Sequence, residues 1–306
     1  MKIVYMGTPD FAVPALEKLA ACEKHEVAAV YTQPDKPQGR KMILTPPDVK
    51  VCAERLGIPV LQPASMKSDE AYDSLKELNP DVVVVAAYGQ ILPKRVLDIP
   101  RLGCVNIHGS LLPKYRGAAP IQQAVLDGEA VTGVTTMLMD VGLDTGDILL
   151  KAETPIGENE TAGELFDRLA QLGGELILKT LDKLEKGEIT PQKQDESLAT
   201  HTSKIDKSYC PIGFSKPARE VHNKVRGLYP WPVATAVICG KRVRIHATRL
   251  NEKSGKAGTV LSVKPLLIAC GEGSVELVTI QPEGKKPMTA EAFLAGHKLA
   301  VGESVQ

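Results

Sequence analysis

Asn106 and His108 stand two residues apart at the end of the apolar segment Cys104-Val105-Asn106-Ile107-His108. Side chains alternate across a strand, so an amide and an imidazole at this spacing point to the same side. A neutral amide can hold a developing oxyanion and an imidazole can move a proton, the two needs of acyl transfer. Asp144 lies in the run Asp140-Val141-Gly142-Leu143-Asp144-Thr145-Gly146-Asp147, after the next predicted strand. A carboxylate returning beside His108 would favour the imidazolium and fix its orientation. Taken singly, each residue has an ordinary structural use: Asn106 as a turn residue, His108 as a hydrogen-bonded strand-end histidine, Asp144 as a helix cap.

These residues need a scaffold, and the chain supplies an alternating one. Lys2 to Met6 is apolar and partly β-branched, Gly7-Thr8-Pro9-Asp10 breaks it, and Phe11, Val13, Leu16 and Leu19 follow at helical spacing. Strands are predicted at 26–31, 60–61, 104–108 and 134–138, and helices at 47–56, 69–78 and near 118–126. The continuous valine run at 81–87 suits a strand covered on both faces. Such alternation predicts an α/β fold with a doubly wound parallel sheet, whose ligands sit at the C-terminal ends of the strands. A long helix at 161–186, with Leu165, Leu169, Leu172, Leu176 and Leu181 on one face, would close this first domain. Residues 188–208 are polar and weakly periodic and read as a linker. Beyond them, a helix at 218–228 ends at Pro230-Trp231-Pro232, where the lone Trp reads as a packing anchor. Short turn-separated strands follow and suggest a small OB-like β-barrel. The predicted division is therefore 1–187, a linker at 188–208, and 209–306.

Composition narrows the function. The chain has 306 residues, 37 Lys plus Arg and 37 Asp plus Glu. Residues 1–206 carry 22 Lys/Arg and 30 Asp/Glu, whereas 207–306 carry 15 and 7, so the halves differ in sign, −8 against +8. A basic module on an acidic body suits a polyanionic partner, or simply two domains that attract each other. The longest apolar run, Val82 to Tyr88, is far below the roughly 20 residues of a membrane span. With no signal-peptide pattern, a cytoplasmic location is expected. The six cysteines lie at least 29 residues apart, so no zinc-type pairing occurs, and they are expected to be reduced and mostly buried. The first loop lacks the Gly-x-Gly-x-x-Gly spacing and no phosphate-binding Gly-Lys-Ser/Thr loop occurs, which disfavours nicotinamide or ATP chemistry.

The motifs together carry a resemblance that extends nearly end to end. Met6-Gly7-Thr8-Pro9-Asp10-Phe11-Ala12, Thr32-Gln33-Pro34-Asp35-Lys36-Pro37, Ala87-Tyr88-Gly89-Gln90-Ile91-Leu92-Pro93, the block Asn106-Ile107-His108-Gly109-Ser110-Leu111-Leu112-Pro113-Lys114-Tyr115-Arg116-Gly117-Ala118-Ala119-Pro120, and the run around Asp144 resemble the signatures of methionyl-tRNA formyltransferases. The Asn-x-His-x-Ser-Leu-Leu-Pro pattern with a downstream Asp is shared by formyltransferases that use 10-formyltetrahydrofolate. It is strong for the chemistry and weak for the acceptor. The resemblance implies a Rossmann-like formyltransferase fold, with 10-formyltetrahydrofolate as co-substrate and methionyl initiator tRNA as acceptor. Asn106 and protonated His108 would stabilise the tetrahedral oxyanion, and Asp144 would support His108 and help relay the proton. Ser110, Leu111, Leu112 and Pro113 would border the folate, and Gly89, Gln90, Ile91 and Leu92 would form a pterin wall. No metal is required, and a monomer is expected.

Three features bear on the acceptor. Residues 34–50 form a basic loop, in which Arg40 falls at the position of the family's tRNA-contacting arginine, with Lys36 and Lys41 beside it. The second is the basic C-terminal module. The third is Val221 to Pro232, similar to the family's inter-domain helix and its Pro-Trp-Pro corner. One departure stands out: at 213–214 the chain has Gly213 and Phe214 where the family usually ends an Ile-Asp-Trp. The same constellation would also serve formylation of a sugar amine or hydrolysis of 10-formyltetrahydrofolate, against which the basic tail argues. A catalytically silent RNA-binding protein is a further alternative, which retention of all three polar residues disfavours.

Overall fold

The computed structural model of the chain describes residues 1–39 and 42–306. The chain runs β1 (Lys2–Gly7), α1 (Val13–Ala20), β2 (Glu26–Tyr31), β3 (Lys36–Gln38), β4 (Ile43–Thr45), α2 (Asp48–Arg55), β5 (Val60–Leu61), α3 (Asp69–Leu78), β6 (Val82–Ala86), α4 (Lys94–Leu97) and β7 (Cys104–His108). It continues through β8 (Arg116–Gly117), α5 (Pro120–Leu126), β9 (Val131–Leu138), β10 (Ile148–Pro155), α6 (Ala162–Glu185) and β11 (His201–Thr202). Then come α7 (Ala218–Gly227), β12 (Ala234–Ile238), β13 (Lys241–Asn251), β14 (Val260–Val263), β15 (Leu266–Ala269), β16 (Ser274–Pro282), β17 (Met288–Thr289) and α8 (Ala290–Leu294). Two compact units result: Met1–Gly117 with Thr132–Thr154 and Phe166–His201, and Ala118–Val131 with Pro155–Leu165 and Thr202–Gln306.

The first unit is built on a seven-stranded sheet of order β10-β9-β7-β6-β1-β2-β5. Strand β6 is buried along its whole length, as two-sided cover requires. The order reverses at β1, which pairs in parallel with β2 on one side and β6 on the other. That reversal opens a crevice at the C-terminal strand ends, where Gly7, Ala86 and His108 terminate their strands. Sequence patterning predicted a doubly wound parallel sheet, which β1, β2, β5, β6 and β7 form, and the structure adds a departure beyond β7. Strand β9 runs antiparallel to β7, and β10 follows as the edge strand. Only residues 139–147 separate β9 from β10, too few for a parallel crossover, and the Leu138 amide donates to the Asp147 carbonyl across the turn at 2.9 Å. Strand β10 escaped prediction because its exposed Lys151 and Glu153 dilute the apolar signal of an edge strand.

Local signals explain where the helices begin and how closely they pack. The Ser68 hydroxyl accepts from the Ala71 amide at the start of α3, Asp69 and Glu70 face the positive end of its dipole, and Asn79 ends it in the left-handed region at φ 43°. On α6, Leu165, Leu169, Leu176 and Leu181 are buried as the spacing predicts. Gly173 brings that helix against β7: a Cβ there would lie 2.9 Å from the Ile107 side chain, between the two candidate catalytic positions.

The C-terminal unit holds an antiparallel sheet of order β12-β13-β16-β15-β14, with β17 added to β16. Its core gathers Ile238, Val243, Ile245, Ile268, Val275, Leu277 and Ile280 from the strands with Val221, Val225 and Leu228 from the α7 region. An OB-like barrel asks for closure: the strand order runs from β12 to β14, and the C-terminal residues 303–306 hydrogen-bond to both edges, Gln306 donating to the Val237 carbonyl of β12 at 3.1 Å and the Glu303 carbonyl accepting from the Val260 amide of β14 at 2.9 Å. Phe214 is buried in this core beside Ile205 and Ile212, so the replaced position still anchors an aromatic ring. Trp231, by contrast, is 51% exposed; Leu228, fully buried, takes the packing role predicted for it. All six cysteines are free, four of them buried. No helix among the described residues is long and apolar enough to cross a membrane.

Candidate active site

Strand β7 carries the two candidates into the crevice. Asn106 pairs with Val85 of β6 and Met137 of β9, and His108 pairs with Thr135 of β9. These ladders occupy the backbone and leave the side chains to define the site. The half-buried Asn106 amide has no hydrogen-bond partner among the described residues, so its N–H groups are available to a ligand.

His108 is 6% exposed. Its Nε2 lies 2.9 Å from the Tyr115 carbonyl, and since a carbonyl only accepts, Nε2 carries a proton. The other nitrogen, Nδ1, faces Asp144 Oδ2 at 3.7 Å, beyond hydrogen-bond reach but within ion-pair range. The nitrogen left without a hydrogen bond is therefore the one that faces the carboxylate. Asp144 Oδ2 also accepts from the Gly117 amide at 2.8 Å, which aims the carboxylate. Asp144 itself sits at φ 54°, a left-handed conformation unusual for a non-glycine residue.

The turn after β7 is shaped by residues that sequence patterning left unassigned. The Thr135 hydroxyl donates to the Ser110 carbonyl at 2.7 Å and accepts from the Leu112 amide at 3.1 Å. Ser110, fully buried, spends its hydroxyl on the Lys114 carbonyl at 2.6 Å, and Leu112, also fully buried, packs with Met137 and Ile148. Of the four residues expected to border a folate, only Leu111 and Pro113 thus keep side-chain surface. Ser110 and Leu112 can offer a ligand only backbone.

The loop after β6 behaves likewise. The Gln90 side chain is consumed by the Met66 amide and the Pro63 carbonyl, and Leu92 is buried beside Tyr88 and Val96. Ile91 is 72% exposed. Ala87 and Gly89 both take positive φ, 45° and 77°. That turn is pinned by Thr8, whose hydroxyl donates to the Tyr88 carbonyl at 2.8 Å, and by Gln33, whose amide donates to the carbonyls of Tyr88 and Gly89 at 3.1 and 2.9 Å.

The basic segment near the chain start is more structured than the loop predicted for it. Strands β3 and β4 form an antiparallel hairpin, and residues 48–50 already belong to α2. Arg40 and Lys41 lie outside the described residues. Lys36 is exposed and hydrogen-bonds Gln33, while Lys50 is neutralised by Asp35 at 2.9 Å. With Gln62 donating as well, Asp35 is held below the usual carboxylate range.

The segment at 188–208, read from sequence as a linker, is bonded into the first unit over much of its length. Gln192 bridges to Ile148, and the amide of Gln194 donates to the carbonyls of Asp144 and Gly146, each at 2.8 Å. Thr200 accepts from the Tyr115 amide through its hydroxyl and from the Arg116 amide through its carbonyl, both at 2.8 Å. Arg116, only 1% exposed, is bonded by Gln194 and by both carboxylate oxygens of Glu196. Those bonds hold Glu196 below its ordinary carboxylate value. Nothing in the sequence near Gln194 or Glu196 marks them: polar residues in a polar stretch have no periodicity to read.

Residues 1–181 match the formyl transferase family, and residues 204–298 match that family's C-terminal domain. The methionyl-tRNA formyltransferase of Citrifermentans bemidjiense is 49% identical over 304 residues, 99% of this chain and 95% of that protein. That of Acetivibrio thermocellus is 49% identical over 308 residues, 99% of each chain. Among solved structures, a sugar 3N-formyl transferase determined with dTDP and 5-N-formyl-THF has a TM-score of 0.69 at 21% identity, over 94% of this chain and 99% of that one. An N-formyltransferase from Helicobacter canadensis, in complex with folinic acid and dTDP-3-aminofucose, gives the same score and identity over 92% and 99%. At that identity these two speak for the fold alone.

Proposed function

The chain belongs to the formyl transferase family, with methionyl-tRNA formyltransferases as full-length relatives, and on that premise we propose that it transfers the formyl group of 10-formyltetrahydrofolate to the α-amine of methionyl initiator tRNA. The observation that carries the chemistry is one arrangement. On the strand edge of a formyl-transferring family, His108 commits Nε2 to a carbonyl and turns Nδ1 to Asp144, while the nearby Asn106 amide has no partner among the described residues. Membership of the formyl transferase family supports a folate-type donor.

The α-amine nitrogen bonds to the formyl carbon, and the carbonyl oxygen takes the electron pair. Asn106 donates an N–H to that oxyanion, an interaction strongest in the transition state. His108 moves a proton through Nδ1, and Asp144 stabilises the imidazolium while it exists. The oxyanion then re-forms the carbonyl, the bond from carbon to folate N10 breaks, and the proton lost by the amine ends on N10. Ile91, Leu111 and Pro113 offer the apolar surface for the pterin, and the backbone of residues 89–92 its wall. Lys36, Arg40 and Lys41 meet the phosphates of the acceptor stem, assisted by the positive C-terminal module.

Transfer of labelled formyl from 10-formyltetrahydrofolate to initiator methionyl-tRNA tests this, with elongator methionyl-tRNA, free methionine and a sugar amine as parallel acceptors. Rapid labelling of the initiator alone is expected. Labelling of the sugar amine alone, or release of formate without transfer, would leave the folate chemistry and remove the tRNA. Replacing Arg40 by Ala should weaken turnover on tRNA and reduce its salt slope by about one phosphate contact. An unchanged slope takes Arg40 out of the interface.

A further inference from the structure

We propose that Gln194 is a positioning residue for Asp144, locked in place by Arg116 and Glu196, so that the stretch 192–200 belongs to the catalytic apparatus rather than to a connector. The inference rests on the role given to Asp144 above. Its starting point is the backbone: Asp144 sits at φ 54°, in the left-handed region that few non-glycine residues occupy. Within its own loop, the carboxylate of Asp140 accepts from the Gly142 amide and the Thr145 hydroxyl at 2.9 and 2.6 Å. From outside, one side chain holds the loop at two points. Gln194 Nε2 gives its two hydrogens to the carbonyls of Asp144 and Gly146, which flank Thr145.

Arg116 decides which way that amide faces. Its Nε and Nη2 donate to Gln194 Oε1 at 3.0 and 2.8 Å, and a guanidinium cannot accept. A flipped amide would set N–H groups against N–H groups and oxygen against two carbonyls, so the orientation is unique. Arg116 is held in turn by Glu196, whose two oxygens accept from Nη1 and Nη2 at 2.9 and 2.8 Å, a planar fork. The same segment reaches the opposite side of the imidazole. The Thr200 hydroxyl accepts from the amide of Tyr115, whose carbonyl receives His108 Nε2. One stretch thus restrains both groups that orient His108.

A merely structural role and a positioning role make different demands on residue 194. If the side chain only satisfies buried Arg116, an acceptor suffices. If it places Asp144, a donor is required. Gln194→Glu separates the two, because the carboxylate keeps the acceptor for Arg116 and turns an oxygen toward the two carbonyls. Formyl transfer to methionyl-tRNA should lose about 10–10²-fold in kcat, the scale of a misplacement near 1 Å, with KM for both substrates within about twofold. In an Asp144→Asn background the same change should have almost no further effect, since a group acting through Asp144 has nothing left to act on. Losses that multiply in full in both backgrounds, or a native rate for Gln194→Glu while Asp144→Asn is slow, overturn the inference and leave Asp144 in place. A native rate for Asp144→Asn instead sinks the role of Asp144 and this inference together. Should Gln194→Glu fail to fold, Glu196→Gln serves: it weakens the grip on Arg116 without touching either Gln194 donor bond. A smaller kcat loss is expected, again absent in the Asp144→Asn background, and multiplication of the two losses overturns the proposal.

Discussion

Two buried histidines, one in each unit, meet their surroundings in opposite ways. His108 is 6% exposed and His222 2%. In the C-terminal unit, His222 has both ring nitrogens engaged, Nδ1 with the Thr248 hydroxyl at 2.9 Å and Nε2 with the Glu158 carbonyl at 3.1 Å. Burial pushes its pKa down, and Arg226 and Arg219 push the same way. In the first unit, His108 has one nitrogen engaged and the other turned to a carboxylate at 3.7 Å. Burial is common to both, so it distinguishes neither. What separates the two is the second ring nitrogen, hydrogen-bonded in His222 and left without a hydrogen bond beside a carboxylate in His108.

The largest effect should come from removing the open imidazole. His108→Ala should lower formyl transfer by about 10²–10⁴-fold while the far-ultraviolet spectrum and melting temperature stay close to native. Activity within a few-fold of native would place the proton transfer elsewhere. Asn106→Ala comes next, with kcat down about 10²–10³-fold and methionyl-tRNA affinity retained, since the lost donor acts on charge that develops in the transition state. An equal loss in affinity would make Asn106 a binding group.

The other histidine should respond in stability alone. His222→Gln should leave kcat unchanged and destabilise the fold by about 1–3 kcal/mol, as buried partners lose their hydrogen bonds. A fall in kcat without a fall in melting temperature would contradict this division of roles. The smallest effect lies in the pH dependence. Because the folded pKa of His222 is depressed, its contribution is fully present above the unfolded value of about 6.5 and is lost as pH falls below it. Denaturant midpoints at pH 7.5 and pH 5 should therefore differ more for the native chain than for His222→Gln. Equal differences would show that another group, such as half-buried His25, carries the acid sensitivity.

Much of this molecule could be read from its residues because the signals were local. The valine run fixed β6 through its two-sided burial, Ser68 and Asn79 marked the ends of α3, and the two-residue spacing put Asn106 and His108 on one side of β7. The antiparallel turn of β9 onto β7, the hairpin in the basic segment and the exposed Trp231 escaped for the converse reason, since direction, pairing and burial depend on partners distant in sequence. The residue types of the candidate site were determined by the sequence itself, because amide, imidazole and carboxylate chemistry belongs to the side chains. Which of their atoms are free was decided only in the tertiary structure. A carbonyl seven residues on claims Nε2 of His108, and a glutamine fifty residues beyond Asp144 fixes the loop that carries the carboxylate. Hydrogen bonds need direction as well as composition, and direction exists only once the chain has folded.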